Sequence, residues 1–185
     1  MEFKFTEDRI KRMDTVLAYY INMNLDVTDG IKITEDDIYT VWYAEEYISD
    51  NLLKNPTSSV RLASTTLPDG KYYLQQYNSY DNIFTHMYVK NRNSVVDLNS
   101  DNMDKSFKET CYSIILKDAD EIKLDNGDIE DINILFSVKT LQNWKMVAMA
   151  NESYLYEFTY NGDKEELYVD RYQLFSAKSP LSIPE

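Results

Sequence analysis

The sequence repeats one order of helix and strand patterns, and the two copies are offset by 94 residues, the distance from Met13 to Phe107. The offset holds on one face of a predicted helix and again on the strand that follows it. It relates Met13, Leu17, Tyr20 and Ile21 to Phe107, Cys111, Ile114 and Ile115, and Asp36, Asp37, Ile38, Val41 and Trp42 to Glu130, Asp131, Ile132, Leu135 and Phe136. Because an internal repeat determines the architecture of a chain, we predict two tandem units.

Each unit is predicted to be a helix followed by four strands. Apolar residues recur every three or four positions at 6–24 and 101–117, which is typical of amphipathic helices. Alternating segments follow each helix, with hairpin signals at LPDG (67–70) and at Asn161-Gly162. The expected fold class is therefore α+β: two tandem, pseudo-symmetric units, each a helix plus a four-stranded, mainly antiparallel sheet.

The boundaries of these units follow from changes in composition. We assign the first repeat to residues 1–90, a polar linker to 91–100, the second repeat to 101–176 and a tail to 177–185. The tail contains two prolines and little periodicity, so we expect it to be only partly ordered.

The chain is strongly acidic, with 32 acidic against 19 basic residues and a formal net charge of -13 at pH 7. Such a charge repels nucleic-acid phosphates and membrane headgroups and attracts basic partners. We therefore expect no direct nucleic-acid or membrane contact and a basic protein as partner. The N-terminal residues lack the apolar core of a signal peptide, and Cys111 is the single cysteine, so the expected location is the cytoplasm of a host cell.

No pattern of catalytic or cofactor-binding residues stands out. The single histidine, His86, lies in a predicted strand, and Cys111 lies on the apolar face of a helix. We interpret both as structural, because a Cys-His pair for catalysis needs mutual contact and an activated thiol. With 4 glycines, no phosphate loop and no cysteine or histidine cluster, the sequence predicts no catalytic residues, no cofactor and no metal.

The densest group of carboxylates lies in residues 118–131. A calcium loop with Gly127 at its sixth position would place Ile122 and Leu124 where oxygen ligands are required, so that interpretation fails. The simplest interpretation is a solvated connection, and the alternatives are a contact surface for a basic partner, a weak cation site and catalysis by paired carboxylates. The candidate partner-binding residues are Asp118, Asp120, Glu121, Asp125, Asp128, Glu130 and Asp131.

Aromatic residues form the other conspicuous group, with 16 tyrosines, many of them in predicted strands. Tyrosine suits a half-buried sheet face, because its ring packs while its hydroxyl reaches water, so we expect mainly structural packing. The alternative is an exposed aromatic face that anchors a protein partner. Trp42 and its repeat equivalent Phe136 are interpreted as core anchors, whose truncation to alanine costs roughly 3–5 kcal/mol if they are buried.

Four motifs carry a resemblance to a known family. They are DDIYTVWYA at 36–44, TTLPDGKYY at 65–73, TLQNWK at 140–145 and YNGDKEELYVD at 160–170. With these motifs the chain resembles a family of short, functionally uncharacterised proteins from phages and prophages of Gram-positive bacteria. The resemblance implies a phage or prophage origin and a doubled version of the usual unit, and it implies no activity.

Three function hypotheses follow. The leading one is an acidic, phage-encoded binding protein that inhibits a host factor, with an anti-defence role such as inhibition of a nucleic-acid-binding nuclease by nucleic-acid mimicry. The second is an enzyme or small-ligand-binding protein that uses a cleft between the two repeats. The third is a structural or assembly protein that self-associates, for example as a homodimer.

Overall fold

A computed structural model describes residues 6–24, 32–46, 58–67, 70–79, 82–97, 107–122, 132–151 and 153–182. The first half contains α1 (Glu7–Asn24), a short 3-10 turn (Glu35–Asp37), β1 (Tyr39–Glu46), β2 (Ser58–Leu67), β3 (Gly70–Ser79) and β4 (Asn82–Asp97). The second half contains α2 (Phe107–Ile122), β5 (Ile132–Thr140), β6 (Asn143–Ala150), β7 (Tyr154–Asn161) and β8 (Glu166–Ser182). The predicted order of one helix and four strands is therefore found in each half.

The strands form one eight-stranded sheet with the order β1-β2-β3-β4-β8-β7-β6-β5. The fold class is α+β, as predicted, but the two predicted four-stranded units are not separate in their strand pairing, because all eight strands belong to one sheet. The long strands β4 and β8, of 16 and 17 residues, are hydrogen-bonded neighbours. Because an unpaired strand edge leaves backbone donors and acceptors without partners, pairing these two strands is favourable, and no local sequence pattern shows it in advance.

Two compact units divide the chain, one formed by Met1–Met87 with Phe175–Glu185 and the other by Tyr88–Leu174. The predicted linker at 91–100 is corrected: residues 91–97 continue β4, and Val96 packs against the core of the second unit. Of the predicted tail, residues 177–182 are the end of β8, and residues 183–185 lie outside the described residues. The partial burial of Val96 favours an extended conformation in a segment whose polar composition suggested a loop.

The core of the first unit lies between α1 and the sheet. Thr6 caps the helix, since its hydroxyl accepts a hydrogen bond from the Arg9 amide at 3.3 Å. The Asn22 side chain bonds both the amide and the carbonyl of Ile33, which holds the segment after α1 against the helix. The buried cluster consists of Leu17, Ala18, Ile21, Ile33, Ile38, Ala63, Leu67, Leu74 and Met87.

A buried ion pair joins α1 to β2 in this unit. Two nitrogens of Arg61 donate to the two carboxylate oxygens of Asp14, at 2.5 and 3.1 Å, and Arg61 Nε donates to Thr40 Oγ1 at 2.8 Å. The two charged side chains are only 1% and 7% exposed. Each charge therefore depends on the other for compensation, which matters for stability.

The core of the second unit is centred on α2 and strands β6 to β8. Its buried members are Phe107, Cys111, Ile115, Ile132, Met146, Ala148, Ala150, Tyr156, Phe158, Tyr160, Leu167 and Val169. The Tyr156 and Phe158 rings are stacked with centroids 6.1 Å apart. The burial of Tyr156 and Tyr160 here, and of Tyr73 in the first unit, agrees with the expected packing role of tyrosine.

The repeat reappears in the strand pairing. The register of β1 against β2 shifts between Thr40 and Trp42, and that of β5 against β6 shifts between Ile134 and Phe136. These positions are related by the same offset of 94.

The prediction that Trp42 and Phe136 are core anchors is corrected, because both are only half-buried. They lie on the end strands of the sheet, where a side chain has fewer neighbours, so truncation of either should cost less than the roughly 3–5 kcal/mol of a buried aromatic.

The β7–β8 hairpin forms at the predicted Asn161-Gly162 pair, but with a different loop. Asn161 pairs with Glu166, so four residues lie between them, and the positive φ of 55° is at Glu165. The Asn161 side chain accepts hydrogen bonds from the amides of Asp163 and Lys164, at 3.0 and 3.3 Å. Gly162 is required for space, because a Cβ there would lie 2.5 Å from the backbone oxygen of Gln142.

Gly162→Ala is therefore expected to lower the free energy of unfolding by about 1–3 kcal/mol, the usual range for overpacking against a fixed neighbour. Glu165→Gly, in the same loop, should instead be neutral or stabilising by about 0.5–1 kcal/mol, because glycine accepts the positive φ. Urea denaturation of the two variants checks this pair. Equal stability of Gly162→Ala and the parent chain would contradict the close contact.

Candidate functional site

Only one of the predicted partner-binding side chains lies in the described part of the chain. Helix α2 extends beyond its predicted end to Ile122, so Asp118, Asp120 and Glu121 are helical. The side chains of Asp120 and Glu121 lie outside the described residues. The remaining four candidates, Asp125, Asp128, Glu130 and Asp131, also lie outside them.

The Asp118 carboxylate is the centre of an internal polar cluster in the second unit. Its Oδ1 accepts a hydrogen bond from Arg92 Nη1 at 2.5 Å, and its Oδ2 accepts from Arg171 Nη1 at 2.9 Å and from the Tyr156 hydroxyl at 2.8 Å. The side chain is 12% exposed. Both oxygens are thus engaged within the unit, by residues of β4, β7 and β8. The role of the acidic segment as a contact surface stays a prediction, and its first carboxylate has an internal role as well.

A cleft of about 270 Å³ opens beside this cluster. One part of its lining is cationic, with Arg92, Lys117 and Arg171, and another is apolar. The lining residues are Arg92, Ser94, Val96, Ile114, Lys117, Asp118, Tyr156, Val169 and Arg171, all of which belong to the second unit. We refer to this feature as the cationic cleft.

The lining residues of each helix or strand share a face because of their spacing along the chain. Ile114, Lys117 and Asp118 are spaced three and four residues apart and share one face of α2. Alternate residues of a strand share a face, which groups Arg92 with Ser94 and Val96 on β4, and Val169 with Arg171 on β8. Tyr156 of β7 lies directly opposite Arg171 in the strand register. Sequence reasoning missed the cleft because residues 91–97 were interpreted as linker, and their sequence, NRNSVVD, lacks the alternation of polar and apolar residues that indicates a strand.

The formal charge of the cationic cleft is opposite in sign to the net charge of the chain. Three cationic side chains and one carboxylate line it, which leaves a formal charge of +2 in a protein of net charge -13. Burial raises the pKa of the Tyr156 hydroxyl, and the adjacent Asp118 carboxylate raises that pKa further. Tyr156 therefore stays protonated near neutral pH and acts as a hydrogen-bond donor to Asp118, not as a base.

Arg171 is held in a defined orientation. Its Nη1 donates to Asp118, its Nε donates to the Asn91 side chain at 3.3 Å, and its guanidinium lies 5.7 Å from the centre of the Tyr154 ring. Among the residues that the structure describes, its Nη2 forms no hydrogen bond. Arg171 thus lines the cleft with a guanidinium that is held by Asp118 and Asn91 and has one nitrogen without a hydrogen bond to the described residues.

A second polar cluster in this unit surrounds the buried Glu157. Its carboxylate pairs with Lys145 and accepts a hydrogen bond from the Tyr172 hydroxyl at 3.0 Å. Both carboxylate oxygens therefore have partners within the unit. We interpret this cluster as structural, which leaves the cationic cleft as the candidate site.

Within the described ranges, no three His, Cys, Asp or Glu side chains converge as metal ligands would. Neither described helix is long and apolar enough to cross a membrane.

Cys111 is fully buried on α2, as the apolar helix face predicted, and burial raises the pKa of its thiol.

The Cys111 thiol should consequently resist modification in the folded protein. At pH 8 we expect a disulfide reagent such as dithionitrobenzoate to react at least about 100-fold more slowly with native protein than with urea-unfolded protein, because reaction requires opening of the core. Absorbance of the released thiolate measures both rates. Native and unfolded rates within a few-fold of each other would contradict the buried position.

Comparison with protein-family models gives a match in the second half of the chain. Residues 105–179 match the model of a family of unknown function, DUF6275. The matched range extends from just before α2 into β8, so it contains Lys117, Asp118, Tyr156 and Arg171 of the cationic cleft but not the residues contributed by β4. No curated protein and no solved structure matches the chain. The second half is thus similar to a family that has been defined by sequence without an assigned activity.

Proposed function

We propose that the second unit binds a small organic anion in the cationic cleft. The observation that carries this proposal is the shared engagement of Arg92 and Arg171 by Asp118 beside an apolar wall. Binding sites for small molecules are typically concave and mainly apolar, with a few fixed polar groups that orient the ligand. This proposal places the ligand within one unit, in contrast to the earlier hypothesis of a cleft between the repeats.

Asp118 supports the proposal through preorganisation. It offsets one of the three positive charges and fixes the positions of two guanidinium groups before a ligand arrives, which lowers the entropy cost of binding. Because the whole chain carries a charge of -13, an anion is repelled at long range and is attracted only within the cleft. Affinity should therefore depend on short-range contacts with the cleft residues.

Isothermal titration calorimetry of the full chain with phenyl phosphate and with benzoate tests this function. We expect one binding site, and an affinity at least about 10-fold lower for Lys117→Gln and Arg171→Met, the effect of losing one charge-assisted contact. Lys117 is exposed, so its replacement leaves the fold intact. Arg12→Gln makes the same charge change on the exposed side of α1 and should bind like the parent chain. Absence of binding by both probes, or an equal effect of Arg12→Gln, would contradict the proposal.

A second proposal rests on the charge of the chain. We propose that the acidic segment 118–131 engages a basic host protein, which fits a phage-encoded inhibitor of a nucleic-acid-binding nuclease. Its support is the net charge of -13. Affinity capture from host lysate at two salt concentrations should retain a basic protein that is lost at the higher one. Reversal of the charges at Asp120, Glu121 and Asp125 should abolish capture, and unchanged capture would contradict this proposal.

We also propose that the first half is a diverged copy of the unit matched by the family. The support is the offset of 94, which holds for the sequence and for the register shifts of β1 and β5. Relatives that contain a single unit should align with both halves, with Trp42 and Phe136 in one column. Alignment with the second half alone would contradict a duplication.

A further inference from the structure

The three cations of the cationic cleft come from three different elements. Arg92 lies on β4, Lys117 on α2 and Arg171 on β8. A ligand group that contacts all three needs oxygens that point in three directions. A carboxylate has two oxygens in one plane, whereas a phosphate has three terminal oxygens arranged as a tetrahedral face.

Arginine typically recognises carboxylates through two parallel N–H groups, and the contacts of Arg171 limit that mode. Its Nε and Nη1 are already engaged by Asn91 and Asp118. The fork that includes Nε is therefore shared with Asn91, and the end fork of Nη1 and Nη2 shares Nη1 with Asp118. The nitrogen of Arg171 that forms no hydrogen bond with the described residues is Nη2, which suits one oxygen of a tetrahedral anion.

The formal charge of the cleft also favours a phosphate group over a carboxylate. Three cations and one carboxylate leave +2, which a dianion neutralises and a monoanion does not. A phosphomonoester carries a charge of about -1.5 to -2 at pH 7, since its second pKa is about 6. Lys117 complements the two arginines as a compact charge, the way lysine commonly binds phosphate.

The rest of the ligand is constrained by the apolar wall and by size. Val96, Ile114 and Val169 offer contact to a hydrocarbon body. A cavity of about 150 Å³ suffices for benzene, so the roughly 270 Å³ of the cleft holds about one ring together with its phosphate group.

We infer that the ligand of the cationic cleft is a phosphomonoester with a small apolar body, bound through Arg92, Lys117 and Arg171. This inference rests on the proposed anion-binding function and specifies its ligand class. Ser94 lines the same cleft and adds a hydroxyl that can donate to a phosphate oxygen or to an ester oxygen.

Calorimetry with four probes tests the inference at pH 8: phenyl phosphate, benzenesulfonate, benzoate and inorganic phosphate. Benzenesulfonate has the same ring and three oxygens but one charge, and benzoate has two oxygens and one charge. We expect phenyl phosphate to bind at least about 10-fold more tightly than either monoanion, and more tightly than inorganic phosphate, which lacks the apolar body. At pH 5 phenyl phosphate carries one charge, so its advantage over benzenesulfonate should largely disappear.

Variants separate this inference from the proposed function. Lys117→Gln should reduce the advantage of phenyl phosphate over benzenesulfonate, whereas Arg12→Gln should leave it unchanged. If benzoate or benzenesulfonate binds as tightly as phenyl phosphate and still depends on Lys117, anion binding stands and the phosphomonoester is overturned. If no probe binds, or if binding is indifferent to Lys117 and Arg171, the proposed function itself is overturned.

Discussion

Arg61→Ala is expected to lower the free energy of unfolding of the first unit by about 3–5 kcal/mol, the usual cost of removing one partner of a buried ion pair. The replacement leaves the Asp14 carboxylate without its two hydrogen bonds from Arg61 and removes the donor to Thr40. The loss is large because Asp14 cannot turn to solvent while α1 stays packed on the sheet. Arg12→Ala, an exposed arginine on the same helix, should change stability by less than about 0.5 kcal/mol.

Tryptophan fluorescence during urea denaturation measures this effect. Trp42 lies in the first unit and Trp144 in the second, and the chain has only these two tryptophans, so Trp144→Phe leaves a single reporter for the first unit. The double change Arg61→Met with Asp14→Leu should recover most of the stability, because an apolar pair of similar volume often replaces a buried ion pair without loss. A decrease below about 1 kcal/mol for Arg61→Ala would show that the pair is not buried.

Phe158→Ala is expected to lower the free energy of unfolding of the second unit by about 3–5 kcal/mol. Phe158 is fully buried, lies at the centre of the second core and stacks on Tyr156, so its removal leaves a cavity and deprives the Tyr156 ring of support. Because Tyr156 donates to Asp118, the same change should also weaken anion binding.

The half-exposed Val138 of β5, which also lies in the second unit, provides a control. Val138→Ala should cost at most about 1 kcal/mol, since a residue at the surface leaves no enclosed cavity. Fluorescence of Trp144 in a Trp42→Phe background follows the second unit in both variants. Similar destabilisation by the two substitutions would contradict the placement of Phe158 in the core.

Local patterns predicted the elements well and their long-range pairing poorly. The spacing of apolar residues predicted the helix faces of α1 and α2 and the buried thiol, and the turn residues predicted the β7–β8 hairpin. The pairing of β4 with β8 could not be predicted from local patterns. It joins segments about 80 residues apart, such as Asn91 and Gln173, and no hairpin turn connects them.

The cationic cleft could not be predicted from the sequence for a related reason. Composition placed Asp118 in an acidic stretch, whereas the fold surrounds it with Arg92 and Arg171 from distant strands. A charge count over neighbouring residues describes the field of a segment and says nothing about which counter-charges the fold brings to it. Residues 91–97 gave no strand signal either, because four polar residues are followed by two adjacent valines, Val95 and Val96.

The most direct test of anion binding in the cationic cleft is a titration of the full chain with phenyl phosphate, observed through the arginine Nε–Hε signals in ¹⁵N NMR spectra. We predict saturable shifts of the Arg92 and Arg171 signals with one common dissociation constant, while the buried Arg61 and the exposed Arg12 do not move. Equal small shifts of all the arginines, or unchanged Arg92 and Arg171 signals at millimolar phenyl phosphate, would contradict the account.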